Sequence, residues 1–404
     1  MRLSRPPLLS LSLLALLSLS AGCGPRYHLS LYETAPTETT LDHPDIADAY
    51  QVWLDQVSSA RRSIDLSEFY AVDAPGSRLQ PVVQALETAA ARGVRIRFLA
   101  DAKMGRTYPE LLDHLAAVPG IQVRRYDVNA LTGGVQHSKY IVVDGERVCL
   151  GSQNFDWRSL EHVQELGLLI DHPSVVTAVQ QVFDADWALA GGESGTAVAR
   201  AQAPSFPVPV RFGHDKVEVT PVFSPQGLLP DPETWDLPRL VALIDGANQS
   251  VRVQLMSFEV HGYGGTVFSD LDTAMRRAAA RGVQVQLLVA DWSQRHYQIG
   301  DLKEIEQVHN ITVKLVTIPE HSSGFIPYGR VIHAKYAVID GEESWIGSSN
   351  WGGDYFFKSR NVGLLMEGAP MGERLDAFFT DLWDSPYAAE VDPARTYPEP
   401  RIKE

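Results

Sequence analysis

The stretch Gly133–Ile170, GGVQHSKYIVVDGERVCLGSQNFDWRSLEHVQELGLLI, returns near the C-terminus as Gly329–Met366, GRVIHAKYAVIDGEESWIGSSNWGGDYFFKSRNVGLLM. One offset of 196 residues, with no gap, sets His137 on His333, Lys139 on Lys335, Asp144 on Asp340, Gly151 on Gly347, Ser152 on Ser348 and Asn154 on Asn350. A repeat on this scale governs how the rest of the chain is read. The β-branched run between His-x-Lys and Gly-Ser-x-Asn predicts a strand carrying the His and Lys on one face, because residues i and i+2 project the same way. A second strand then delivers the small-residue turn. A lone His on a strand is ordinarily a satisfied structural residue, but six polar or glycine identities at fixed spacing in two copies point to a site.

Outward from the repeat, both halves share one order. In the first, Ala47 to Arg61 reads as a helix, Ser63 to Ala71 as a strand and Leu79 to Arg92 as a helix stopped by Gly93. The strand Val94 to Asp101, a helix Tyr108 to Ala117, the strand IQVRRYD and a closing helix Pro173 to Ala190 complete it. Gly191 to Pro209 has the small-residue and proline composition of a linker. In the second half, helices Leu237 to Asn248 and Phe268 to Arg281, strands VRVQLMSFEV, QVQLLVAD and ITVKLVTIP, and a helix Met371 to Trp383 repeat the series. ARGVRIRFLAD in one half answers ARGVQVQLLVAD in the other. Alternating strands and helices predict an α/β fold of two homologous lobes related by a pseudo-twofold, with mixed β-sheets flanked by helices and one shared active site. The expected division is a first lobe over 49–190, a linker over 191–214, a second lobe over 215–390 and a tail over 391–404.

The N-terminus has a different character. Arg2 and Arg5 precede the apolar run Leu8 to Leu19, followed by the small residues Ser20-Ala21-Gly22-Cys23, which predicts a signal peptide over 1–22. Leu19 to Cys23 resembles the bacterial lipobox, which implies lipidation of Cys23, a membrane anchor and a place in the bacterial cell envelope. Cleavage near Ala21 with plain secretion is the alternative. Residues 23–48, with Pro25, Pro36 and Pro44, read as a tether. The only other cysteine, Cys149, lies in an apolar strand and reads as a buried thiol.

With 45% hydrophobic and 21% charged residues the chain is globular rather than disordered. Its net charge of −15 disfavours a long polyanion laid along the surface, yet a local pocket of Lys, His and Asn can still hold one phosphate. If the two copies meet, they pool two imidazoles, two ammonium groups, two hydroxyls and two amides. Lys and Asn then stabilise the charge of a pentacoordinate phosphorus, one neutral His attacks it, and a protonated His serves the leaving oxygen.

HxKxxxxD followed by GSxN, twice in one chain, resembles the phospholipase D superfamily, and the likeness runs from about Ser63 to Tyr387. LGSQNFDWRSLEHVQELG, IPYGRVIHAKY, GSSNWGGDYF and LWDSPY are most similar to the branch containing the lysosomal single-strand 5′-exonucleases. The resemblance implies phosphodiester hydrolysis through a phosphohistidine, without metal or other cofactor, on a phospholipid head group or the 5′ end of single-stranded nucleic acid. It implies His137 as nucleophile and His333 as general acid, with Lys139, Lys335, Asn154 and Asn350 on the phosphate, Ser152 and Ser348 lining it, and Asp144 and Asp340 mostly structural, supporting from behind. The family's carboxylate after GSxN falls on Glu165 in the first copy and on Asn361 in the second. Glu165 is therefore expected to orient His137, and Asn361 to orient His333.

Trp157, Trp351, Tyr355 and Phe356 flank the GSxN turns and are candidates for stacking or packing, while Glu68 and Glu259, on equivalent strands, are candidates for the cleft or for structural ion pairs. The His residues lack metal-ligand spacing, and no Walker loop, nucleophile elbow or HExxH helix occurs. Two alternatives stand beside hydrolysis: transfer to an alcohol, as in cardiolipin and phosphatidylserine synthases, and a non-catalytic envelope binding protein. No obligate protein partner is implied.

Overall fold

The computed structural model describes residues 26–193, 204–262 and 265–403. Each lobe forms from local signals that agree with one another. Helix Leu79–Ala91 buries Leu79, Val82, Val83, Leu86, Ala89 and Ala90, a stripe at helical spacing, and leaves its other face wet. It exits through Gly93 at φ +89°, and its counterpart Asp270–Ala280 exits through Gly282 at φ +94°. A Cβ at either position would meet nothing within 4 Å, so glycine is required there by backbone conformation and not by space.

The first lobe orders its strands as His28–Thr34, Val163–Ile170, Arg147–Gly151, Tyr140–Val143, Ser63–Glu68, Arg95–Asp101 and Ile121–Tyr126. All neighbours are antiparallel except the last two pairs, which are parallel. The second lobe repeats the order with Asp215–Ser224, Asn361–Glu367, Glu343–Gly347, Tyr336–Ile339, Ser250–Leu255, Gln284–Ala290 and Ile311–Val316. Strand Val208–Phe212 pairs with both Asp215–Ser224 and His28–Thr34, and so joins the halves into one mixed sheet flanked by helices. Among the described residues, one apolar cluster packs against each lobe's outer helices. A third is shared, bringing Val179 and Phe183 of helix Pro173–Ala190 together with Leu375 and Phe378 of helix Ala369–Trp383.

Two expectations need correction. The tether over 23–48 is structured from residue 28 onward: His28–Thr34 is the first lobe's equivalent of Asp215–Ser224, with Leu29, Leu31 and Tyr32 buried. The prolines around it mask a seven-residue alternating run long enough to fill a strand position. The linker over 191–214 likewise contributes the strand Val208–Phe212, while its residues 194–203 lie outside the described residues. So do residues 1–22, where a signal peptide is expected, and Cys23. Cys149 is buried and free, its thiol pushed up to about 12 by burial. Among the described residues no helix is long and apolar enough to cross a membrane.

Candidate active site

Neither His-x-Lys sits within a regular strand. Both lie in the extended approach to one, just before Tyr140–Val143 and Tyr336–Ile339. Their backbones are tied to the opposite lobe instead. The amide of His137 donates to the Arg360 carbonyl at 2.9 Å, and that of His333 to the Gln164 carbonyl at 2.7 Å. Val163 and Gln164 also pair in parallel with Val331 and Ile332.

This crossing exchanges the orienting partners. His137 Nδ1 meets Asn361 Oδ1 at 2.9 Å, and His333 Nδ1 meets Glu165 Oε2 at 2.8 Å. The expected pairing of Glu165 with His137 and Asn361 with His333 is therefore reversed: each strand after GSxN presents its polar residue to the imidazole of the other lobe. With Nδ1 engaged, Nε2 of each ring is the atom left for chemistry. His137 and His333 line one cavity of about 650 Å³.

The exchange sets the charge on each ring. Burial depresses His137 well below the ordinary imidazole value, and the Lys139 and Lys335 ammonium groups depress it further, with only the neutral Asn361 opposing. Burial also lowers His333, but there the Glu165 carboxylate opposes it. Burial alone would raise Glu165; the imidazole of His333 overcomes this and holds its carboxyl below the ordinary range. His137 is thus the ring kept neutral, and His333 the ring whose protonated form has a partner.

Each Lys donates from Nζ to the carbonyl of its own His, Lys335 to His333 at 2.5 Å and Lys139 to His137. Burial lowers Lys139 to about 7 against the pull of Glu68 and Glu165, and drives Lys335 well below its ordinary value. Both ammonium groups stand behind the residues that line the cavity. Asn154 lines the cavity, donates to the Tyr70 hydroxyl at 3.4 Å and keeps a free Oδ1. Asn350 is set deeper, accepting the Ser257 amide at 3.2 Å and donating to the Tyr355 hydroxyl at 3.1 Å.

The serines depart from expectation, whereas the aspartates are structural, as the resemblance implies. Ser152 and Ser348 are fully buried behind the cavity instead of lining it. Ser152 exchanges hydrogen bonds with the Leu166 backbone, and Ser348 Oγ donates to Asn361 Oδ1 at 3.0 Å, so both brace the residues that orient the imidazoles. Asp144 and Asp340 touch no residue of the site. Each caps a hairpin at φ near +55° and accepts the amides that begin the lobe's central strand: Arg61, Arg62 and Ser63 for Asp144, and Asn248, Gln249 and Ser250 for Asp340.

Of the flanking aromatics, Tyr355 lines the cavity with its ring 5.2 Å from His137, whereas Trp351 and Phe356 are core and Trp157 packs edge-on against His162. Glu68 is fully buried near Lys139, outside the cavity; Glu259 lines it and accepts from Gln298. Sequence reasoning missed Phe69 and Tyr70, which follow the strand Ser63–Glu68 into the cavity, Phe69 standing 5.0 Å from His137. It also missed Arg158, whose guanidinium is forked onto Asp156 at the wall. The run FDWR directly after GSQN was the available signal, a buried Arg being tolerable only with its carboxylate supplied two residues away. Among the described residues no group of three or more His, Cys, Asp or Glu is placed to hold a metal ion.

The chain is similar to known proteins across almost the whole of this architecture. A family model described as cardiolipin synthase, phospholipase D-like domain, matches residues 53–187 and again 240–383. Phospholipase D Z of Dictyostelium discoideum is 32% identical over 371 residues, covering 85% of this chain and 86% of its own. The 5′-3′ exonuclease PLD3 of Bos taurus is 31% identical over 379 residues, covering 85% of this chain and 76% of its own. The crystal structure of phosphatidylserine synthase from Haemophilus influenzae Rd KW20 superposes with a TM-score of 0.60 over 85% of each chain at 11% identity, a likeness of fold.

Proposed function

The chain belongs to the phospholipase D superfamily and is a phosphodiesterase of it, and from that premise we propose that it hydrolyses single-stranded nucleic acid from the 5′ end through a covalent intermediate on His137. The observation that carries the role assignment is the unequal pair of partners, Asn361 on His137 and Glu165 on His333. Neutral His137 Nε2 attacks phosphorus. His333, protonated beside Glu165, gives its Nε2 proton to the leaving oxygen as the P–O bond breaks. Neutral His333 then takes a proton from water, whose oxygen displaces His137 and releases a phosphate monoester. The nucleophile is the one the sequence points to, on different grounds: the ring lacking the carboxylate stays unprotonated and ready.

Lys139, Lys335 and Asn154 supply the positive field and donors at phosphorus, which supports metal-independent chemistry. The nucleic-acid reading is supported by the exonuclease relatives and by Phe69, Tyr70, Tyr108, Trp292, Tyr328 and Tyr355, ring systems around the cavity that suit bases. Transfer to an alcohol uses the same intermediate, with the alcohol replacing water, and the description of the matching family model keeps it as the second reading. Export by residues 1–22 and a lipid on Cys23 belong to the proposal, on the sequence pattern alone.

The test offers the purified protein a 5′-hydroxyl oligonucleotide and phosphatidylcholine vesicles in parallel, with and without chelator, followed by acid-free quenching and peptide mapping. Mononucleotides, chelator resistance and a phosphate label on His137 are expected. Choline release alone overturns the substrate, and a label on His333 reverses the roles.

A further inference from the structure

Of the polar residues matched by the repeat, only His137, His333 and Asn154 line the cavity. The others stand behind it or away from it. Each ammonium group bonds the carbonyl of its own histidine, and Asn350 spends its Oδ1 on the Ser257 amide and its Nδ2 on the Tyr355 hydroxyl. A phosphodiester held between the two imidazoles presents nonbridging oxygens that gather negative charge as phosphorus becomes pentacoordinate. Asn154 offers them an amide from the first lobe, but the matching amide of the second lobe is not at the wall.

What stands at the wall there is Tyr355. At the repeat offset it takes the place of Ser159, so this phenol has no twin in the first lobe. Helix Gly353–Phe357, just after the second GSxN turn, carries it. Its carbonyl accepts the Asn361 amide and the Ser224 hydroxyl, each at 2.8 Å, which pins it beside the group that orients His137. Its ring meets His137 edge-on at 5.2 Å, and the carboxylates its hydroxyl feels, Glu259 and Asp354, line the cavity as well.

Proton accounting separates the two phenols that bond the GSxN asparagines. A tyrosine hydroxyl has one proton to give and lone pairs to receive others. Tyr70 receives from Asn154 at 3.4 Å and gives its proton to the Asp156 carboxylate, so that donor is committed. Tyr355 receives from Asn350 at 3.1 Å, and among the described residues its own proton has no acceptor. Burial pushes this phenol up to about 12, so it stays protonated wherever the histidines work.

We propose that Tyr355 is a catalytic residue of this site: its hydroxyl, held by the Asn350 amide, donates a hydrogen bond to a nonbridging oxygen of the phosphoryl group that His137 attacks. It does from the second lobe what Asn154 does from the first. The phenol keeps its proton throughout and adds no transfer step; it stabilises the charge that builds on the phosphoryl oxygens. The inference rests on the phosphodiesterase reading of the cavity and not on the choice of nucleic acid, because every diester brings the same oxygens.

Tyr355→Phe tests this in the full chain, since it removes one oxygen and keeps the ring against His137. The readouts are kcat on a single-stranded oligonucleotide and on bis(p-nitrophenyl) phosphate, the pH–rate profile, and inhibition by orthovanadate, which adopts the pentacoordinate shape. The expected result is a kcat lower by about tenfold to a hundredfold on both substrates, the weight of one donor to a charged acceptor. Vanadate inhibition should weaken by the same factor, with the acidic limb of the profile in place. Unchanged turnover overturns the proposal. So does a loss confined to the oligonucleotide, which makes Tyr355 a base contact. A loss with the acidic limb displaced and vanadate inhibition intact makes the ring packing for His137, and overturns it too. An unaltered protein that turns over neither diester and ignores vanadate fails the phosphodiesterase reading itself, and the inference falls with it.

Discussion

Replacing Glu165 by Gln keeps shape and hydrogen-bonding capacity and removes only charge. Glu165 is fully buried and bonds His333 Nδ1 at 2.8 Å, and it is the carboxylate that opposes the lowering of that ring by burial. A hydrogen bond to a charged partner contributes about 1.5–3 kcal/mol, and about 1.4 kcal/mol corresponds to one pKa unit. Losing the carboxylate should therefore move the titration of His333 down by about one to two units. Above the new value the acid is missing, so kcat for an oligonucleotide should fall about ten- to a hundredfold at neutral pH, and the basic limb of the pH–rate profile should move by the same interval. A p-nitrophenyl ester, whose leaving group departs without a proton, should lose far less in the first step, visible as a burst of p-nitrophenol. An equal loss on both substrates, with the basic limb unmoved, would refute the assignment of His333 as acid and return the carboxylate to a role at the nucleophile.

The lowered values of both rings place the optimum. Activity rises with pH as His137 loses its proton, below the ordinary imidazole value, and declines as His333 loses its own, also below that value; the bell should peak on the acid side of about 6.5, and a maximum above pH 7.5 in a steady-state profile contradicts this. Arg360→Met should cost about 3–5 kcal/mol in a denaturant melt, because it strands Asp186 in a fully buried ion pair that links the lobes; adding Asp186→Leu should recover most of the loss. Asp144→Ala should lower stability by about 2 kcal/mol with kcat unchanged. Burial would raise the Asp144 carboxyl, but the amides of Ser63, Arg62 and Arg61 hold it below the ordinary range, so its contribution is present above the unfolded value near 4 and is lost as pH falls through the folded one. Acid melts that superpose for the two proteins would count against that.

The repeat made the architecture legible because strand order follows from local alternation and from six identities at one offset. What it could not convey is which lobe a side chain addresses. Glu165 and Asn361 each stand 28 residues after a His, yet the approach Val331–Ile332 lies beside Val163–Gln164, and that crossing hands each partner to the opposite ring. Ser152 and Ser348 carry the same hydroxyl whether they face a phosphate or a neighbouring strand; only strand pairing decides. Asp144 travels with the motif and its structural part was expected, but the hairpin it holds, with its φ of 57° and three amide donors, is visible only in the fold. The arginine–aspartate fork at Arg158 was written in the three letters Asp156-Trp157-Arg158, but nothing in them says that it stands at a cavity wall.

Strand His28–Thr34 has a direction as well as a place. It enters the sheet beside Ile170 and leaves it beside Glu165, so the chain passes from one rim of the molecule to the rim where the reacting rings gather. Only four residues separate Cys23 from His28, a reach of roughly 15 Å, and the strand then runs roughly 20 Å further before it meets the chemistry. If Cys23 carries the lipid proposed for it, the anchor joins the fold at the end of this strand away from Glu165 and the reacting rings.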